Sequence, residues 1–290
     1  MSESAISTTR VTVSVVVPCY NQEDTISRCL TSLINQTYPA EDFEIFLADN
    51  GSSDRSVEIA RQFDRVRLIQ EFQRGSYSAR NTAVRETSGS ILAFTDGDCE
   101  ANTNWLQSIV NAFEDPQVLM ILGANRFADE SFFLRTRADY ENEKVRYICA
   151  QKNPQYYYAY TNNLAVRRSA FDVCGPFETI LRGADSVFGS RIIAKYGCDA
   201  VRFVPEMQVR HWEIISSSTW FSKLWTYGRS YGDYCRTTGT RPITFRQRMR
   251  VRFGMMSQPD STLARAAWLF FSDLIGTAAY LLGRVSRKIY

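Results

Sequence analysis

The sequence lacks the features that would staple a chain together, export it or thread it through a bilayer. Its seven cysteines, Cys19, Cys29, Cys99, Cys149, Cys174, Cys198 and Cys235, are an odd number, lie far apart and include no CxxC. That argues against a disulfide framework and a zinc cluster, and points to a reducing compartment. The first ten residues, MSESAISTTR, carry no apolar stretch behind a basic start, so no secretory signal is readable and a cytoplasmic location is expected. The longest mostly apolar run, AAWLFFSDLIGTAAYLL at 266–282, is interrupted by Asp273. As a helix it would reach about 25 Å against a hydrocarbon core of about 30 Å, with a costly carboxylate inside, so a transmembrane span is disfavoured. No GxGxxG follows the first strand-like segment, which disfavours an NAD-dependent dehydrogenase. Internal repeats and low-complexity linkers are also missing. What remains, 44% hydrophobic and 22% charged residues in 290, is the balance of a globular protein and excludes a disordered, collagenous or multi-span chain.

Charge is unevenly spread. Residues 1–235 hold 24 Lys+Arg against 29 Asp+Glu, a net −5, whereas residues 236–290 hold ten Lys+Arg against Asp260 and Asp273, a net +8. The division predicts an acidic body over 1–235 and a basic, amphipathic helical extension over 236–290. An acidic body with a basic tail suits an anionic lipid surface better than duplex DNA, so no nucleic-acid partner is expected.

The first hundred residues alternate β-branched runs with helical patterns, the order that builds a parallel sheet covered by helices. VTVSVVVP (11–18), FEIFLAD (43–49), VRLIQ (66–70) and SILAFTD (90–96) read as strands, with helices predicted over 24–36, 53–63 and 76–86. Further strands are predicted at 118–124, around 164–166 and at 199–205, helices at 103–113, 130–150 and 185–196, and helix beyond Ser218.

Three strand ends carry polar chemistry. FTDGDCE (94–100) places Asp96 and Asp98 where open α/β sheets bind ligands, with Gly97 expected to let the backbone turn between them. Two hard oxygen donors at this spacing suit Mg²⁺ or Mn²⁺ against a diphosphate, although an Asp-Gly-Asp turn also occurs without metal. In ADNGSSD (48–54), Asp49 suits acceptance of a uracil N3–H, or equally an Asx turn followed by a helix cap at Ser53. PCYN (18–21) closes the first strand, and Tyr20 would either cover a base or pack.

Taken together, VSVVVPCYNQEDTI, EIFLADNGSSD, RGSYSARNTAV and ILAFTDGDCE, in this order and spacing, resemble the family 2 glycosyltransferases with the GT-A fold, over about residues 11–230. The resemblance implies a Rossmann-like nucleotide-binding mixed sheet flanked by helices, here with a helical C-terminal extension. It also implies inverting transfer from a nucleotide sugar, most simply a UDP-sugar, to a hydroxyl of a saccharide or lipid-linked saccharide, in cell-surface polysaccharide or glycolipid synthesis. Carried onto matching positions, Pro18, Tyr20, Asn21 and Asp49 would hold base and ribose, Arg80 would lie beside the nucleotide, and Asp96 would contact ribose. Asp98 would hold the divalent metal, Mn²⁺ or Mg²⁺. LRGADSVFGSRI (181–192) resembles the stretch that supplies the catalytic base, here Asp185, and His211 in VRHWE stands where a histidine reaches the metal or diphosphate. Two departures, Ala184 where the family has Glu and Asn50 where many members have Asp, motivate the alternative of a catalytically inactive nucleotide-sugar binding module.

Trp212 would pack or wall the acceptor, Arg191 would orient the acceptor loop, meet a phosphate or form an ion pair, and the tyrosines at 156–160 would be packing or a sugar platform. In the tail, Trp268, Phe271, Leu274, Ile275, Ala278 and Leu282 can share one helical face. That face would either dock on the catalytic domain or lie on the inner face of the cell membrane, where Arg246 to Arg252 and Arg284 to Lys288 would meet anionic headgroups.

Overall fold

Seven consecutive buried residues, Val13–Cys19, form β1 at the centre of a parallel ladder. The computed structural model of the chain describes residues 13–180, 182–256 and 262–286. The leader-free reading of the first ten residues and the basic residues at 287 and 288 therefore lie outside the described residues. A strand covered on both faces carries no polar alternation, which is why β1 reads as a continuous valine-rich run. It pairs in parallel with β2 (Phe43–Asp49) and β4 (Ile91–Thr95), and β3 (Val66–Gln70) pairs in parallel with β2. Parallel neighbours need crossovers. Here α1 (Ile26–Ile34), α2 (Ser56–Ala60) and α3 (Ser76–Glu86) supply them.

The chain then adds β5 (Cys99–Ala101), α4 (Trp105–Ala112), β6 (Met120–Phe127), α5 (Phe132–Gln151), β7 (Asn163–Arg167), α6 (Arg168–Cys174), α7 (Ala184–Tyr196) and β8 (Val201–His211). The eight described strands form one mixed sheet in the order β3-β2-β1-β4-β7-β6-β8-β5, with β7 antiparallel to both its neighbours and β5 antiparallel to β8. Alternate residues of β1 point into different cores: Val16 joins Phe46, Leu92 and Phe94 on one face, while Val15 and Val17 join Ile45, Leu47 and Ala93 on the other.

Two elements, β5 and α6, have no counterpart in the sequence reading, and two strands were read too short, the one expected to end at 124 running on to Phe127. The strand expected at 199–205 continues to His211, because the β6–β8 ladder shifts register between Gly123 and Ala124 and then resumes at Gln208. Gly123 is required at that step, since a Cβ there would lie 2.3 Å from both the Met207 carbonyl oxygen and the Asn163 amide. His211 is thus the end of a strand and not part of a loop beyond one.

The C-terminal part is helical: α8 (Ser217–Thr238), α9 (Phe245–Met256) and α10 (Leu263–Ser286). The boundary expected at 235/236 falls inside α8. Val251, Met255 and Leu269 join the core beneath α5, and Arg265 donates to Asp139 and Thr136 of that helix. On α10, Arg265, Leu269, Ser272 and Gly276 are buried in one stripe. Gly276 lies so close to α8 that an added Cβ would stand 2.9 Å from Leu224 and 3.1 Å from Trp220. The wider apolar face expected from the sequence lies to one side of this stripe. Only Trp268, at its edge, packs inward against Phe133, while Phe271, Leu274, Ile275, Ala278 and Leu282 are exposed. No helix among the described residues is long and apolar enough to cross a membrane.

Candidate active site

The loops that leave β1, β2 and β3 are laced together at the C-terminal edge of the sheet. Asn21 adopts a positive φ of 51°, and its side-chain oxygen accepts the Ser53 amide at 2.8 Å while its own amide donates to Ser52 Oγ. Asp49 is only 1% exposed. Its carboxylate accepts the amides of Gly51 and Ser52 and the side chain of Gln70, the Asx turn that was one of its two sequence readings. The cap expected at Ser53 does not form: α2 begins after Arg55 without a side-chain cap, and Asp54 accepts from the amides of Ser56 and Glu23. Pro18 is buried within β1, paired with Ala48, and Tyr20 stands half exposed at the mouth of these loops.

Asn50 donates to the carbonyls of Glu71 and Gln73 and accepts the Gly75 amide. An aspartate could not make the two donations, so the residue that departs from the family pattern is the clamp for the loop before α3. Ala184, the other departure, is fully buried in the larger core, so its position faces packing and not the cleft.

The two aspartates of the DGD turn go to different partners. Asp96 pairs with Arg80, a buried side chain on α3. Burial pushes the Asp96 carboxyl above its ordinary value, with Arg80 opposing that rise. Asp98 faces His211: Cys99 and His211 are direct partners across the β5–β8 ladder, which sets His211 Nδ1 3.8 Å from Asp98 Oδ2. That is too long for a hydrogen bond, and Nδ1 is buried with no hydrogen-bond partner. Burial, reinforced by the positive charge of Lys223, lowers the imidazole to about 4, so it is neutral with a free lone pair at physiological pH. A neutral imidazole nitrogen without a partner beside a carboxylate is a donor set that fits a divalent cation. The Cys99 thiol is within reach of the same two groups, but burial raises it well above its ordinary value and keeps it protonated. Gly97 has no positive φ; a Cβ there would meet the end of the Gln22 side chain, so it marks a close approach and not the turn conformation expected.

Asp185 is the second residue of α7, entered through Gly183 at φ 89°. Its carboxylate accepts the amides of Ser186 at 2.9 Å and Thr161 at 3.3 Å, and the Tyr77 hydroxyl, which accepts the Gly183 amide at 3.3 Å, favours its charged form. Burial outweighs these donors and the nearby Arg80 charge, and holds the group above the usual carboxylate range. Arg80 therefore acts electrostatically on both Asp96 and Asp185. Tyr77 escaped the sequence reading, although it stands three residues before Arg80 and so shares its helical face.

Other residues resolve toward structure. Asn81 clamps the backbone of Phe177 with both side-chain atoms. Arg191 pairs with Glu178 and donates to the Pro176 carbonyl. Trp212 donates to Glu100 and is covered by the Arg28 guanidinium at 3.7 Å. Tyr157 and Tyr160 bond to backbone carbonyls, which is packing. Lys223 on α8, paired with Glu213, brings a positive charge to Asp98 and His211; nothing near it in sequence signals this.

With the site on the page, its relatives can be compared. The chain is 36% identical over 181 residues to "Glycosyltransferase AglE" of Haloferax volcanii, covering 60% of this chain and 58% of that protein. It is 38% identical over 89 residues to the Escherichia coli "UDP-Glc:alpha-D-GlcNAc-diphosphoundecaprenol beta-1,3-glucosyltransferase WfgD", covering 30% and 34%. It thus spans less than two thirds of the length of either. Among solved structures, the mannosyltransferase PcManGT of Pyrobaculum calidifontis, in complex with GDP-Man and Mn²⁺, superposes with a TM-score of 0.67 at 18% identity, over 97% of this chain and 88% of that one. That likeness establishes the GT-A fold. The description "Glycosyl transferase family 2" matches residues 14–189, a span that runs from β1 through Asp185, and the chain belongs to the family 2 glycosyltransferases.

Proposed function

We propose that the chain transfers a sugar, with inversion, from a UDP-sugar to a hydroxyl of a saccharide or lipid-linked saccharide, working in the cytoplasm against the inner face of the cell membrane. The observation that carries this reading is the buried Arg80 guanidinium, paired with Asp96 and within electrostatic reach of Asp185, with the Asp98–His211 pair beside it. WfgD, whose name specifies UDP-Glc and a diphosphoundecaprenol-linked acceptor, supports both the donor and the acceptor class. PcManGT was solved with GDP-Man, so the base is the point to be tested.

In this reading Pro18, Tyr20 and Asn21 line the base and ribose, and Asp49 shapes that pocket by holding the loop from Gly51 to Ser52. Asp96 receives the ribose and Arg80 lies along the nucleotide. Asp98 and His211 would hold Mn²⁺ in preference to Mg²⁺, because one ligand is an imidazole nitrogen. When bound, the ion supplies positive charge to the diphosphate. Asp185, its carboxylate raised toward neutrality, takes the proton of the acceptor hydroxyl as the acceptor oxygen attacks C1. The new C1–O bond forms as the bond from C1 to the diphosphate oxygen breaks on the opposite face, and UDP carries the electron pair away. Lys223 adds further positive charge on the leaving-group side.

The test is nucleotide release from a panel of UDP- and GDP-sugars with Mn²⁺, with and without saccharide acceptors. Acceptor-stimulated UDP release is expected. Tight nucleotide binding with no release from any donor would favour the binding-only alternative.

A further inference from the structure

We propose that the exposed stripe of α10, together with the exposed residues of α9, is the surface by which the protein docks on an anionic lipid leaflet. This rests on the membrane reading above and deepens it by naming the surface.

The stripe comprises Phe270, Phe271, Leu274, Ile275, Leu281 and Leu282, with Phe270 at 59% and Leu274 at 65% exposure. At 3.6 residues per turn Phe270, Leu274 and Leu281 lie opposite the buried stripe of Arg265, Leu269, Ser272 and Gly276, and Phe271, Ile275 and Leu282 lie on one flank of it. The helix therefore uses its narrow face to dock on α8 and leaves its larger apolar face uncovered. Arg252 of α9 sits over the Phe270 ring at 5.7 Å, which brings the two helices together at that point. On α9, Phe245 and Phe253 are 67% and 65% exposed, with Arg246 and Arg250 exposed between them.

A contiguous set of exposed aromatic and aliphatic side chains flanked by arginines marks an interaction surface and not incidental exposure. Its charge selects the partner. Residues 236–290 carry a net +8, so a second copy of the chain on the same face would bring like charges together, whereas an anionic leaflet neutralises them. With no helix among the described residues able to span, the apolar side chains would enter the headgroup boundary while the arginines stay at phosphate level.

The experiment is flotation of the full chain with vesicles of phosphatidylglycerol and phosphatidylcholine, against phosphatidylcholine alone. Binding to the anionic vesicles that weakens with salt is expected. A triple variant, Phe270→Ser with Phe271→Ser and Leu274→Ser, should lower partition about tenfold or more, and so should Arg246→Glu with Arg250→Glu. All replaced side chains are exposed, so thermal unfolding should be unchanged, as should UDP release with a water-soluble acceptor. Wild type that stays unbound at low salt, or variants that float as wild type does, would overturn the proposal. So would wild type that sediments as a dimer when the triple variant is monomeric, which would make the face an interface between copies. If UDP release failed while flotation persisted, sugar transfer would fall and the docking surface would stand.

Discussion

At the C-terminal edge of the parallel strands, Arg80 and His211 are buried, whereas on α10 Phe271 and Leu274 face solvent. Each arrangement costs stability in isolation. A buried guanidinium has to be paired, and Arg80 is, by Asp96 with Asp185 nearby. A buried imidazole has to give up its proton, and His211 does. Exposed aromatic rings forgo the burial that would stabilise the fold. The lesson of the contrast is that the two regions depart from the ordinary inside–outside rule in opposite senses, and each departure marks where something else is expected to bind: a charged donor in the cleft, an apolar boundary at the tail.

The largest expected effect tests the cleft. Asp98→Asn should abolish turnover and remove metal-dependent UDP affinity, because an amide cannot balance a divalent ion against a diphosphate; Asp96→Asn should do less. Full activity of Asp98→Asn with Mn²⁺ present would break the assignment. Asp185→Asn should lower the transfer rate by about 10² to 10⁴ with donor affinity nearly intact. Its wild-type acid limb should lie above the ordinary carboxylate value, since burial raises that group. Equal losses of UDP affinity and rate would make Asp185 a donor residue and require another base.

A pH titration of stability sharpens the account of His211. With the folded imidazole lowered to about 4 from 6.5, the unfolded chain binds a proton that the folded chain refuses throughout that window. Stability from this group is therefore full above about pH 6.5 and declines as pH falls toward 4. His211→Asn should show a shallower decline of Tm over the same range, and an unchanged slope would mean that the imidazole is not held neutral.

Asn50→Asp restores the residue common in the family but replaces a double donor by an acceptor facing two carbonyls. Denaturant unfolding should show a loss of about 1 to 3 kcal/mol with no gain in rate. A faster enzyme would revive the binding-only account of the wild-type chain. The smallest effect belongs to the exposed stripe: Leu274→Ser should change stability by no more than about 0.5 kcal/mol. Leu269→Ala, on the buried stripe of the same helix, should cost about 2 to 5 kcal/mol. Similar costs at the two positions would mean that the outer face is covered within the fold.

How much of this was legible without coordinates follows from the range of the interactions. Strands β1 to β4, their crossover helices and the polar residues at their ends were readable because each depends on local periodicity and short connections. Placing Asp49, Asp96 and Asp98 at one edge of a sheet needs only parallel order. Their partners were not readable. Arg80 was expected beside the nucleotide; its pairing with Asp96 and its electrostatic reach to Asp185 required α3 and α7 to contribute to one core. The short β5 is three residues long and leaves no periodic trace, yet its antiparallel pairing with β8 is what sets Asp98 against His211. Lys223 arrives from a helix beyond the family match.

The tail divides in the same way. The spacing of its apolar and basic residues alone determined that α10 would have a broad apolar face and a basic neighbourhood, because amphipathicity is a property of local order. Which face would be covered was decided by tertiary packing: Gly276 lets α8 approach the narrow stripe closely, Arg265 ties that stripe to Asp139, and the broader stripe is left facing outward.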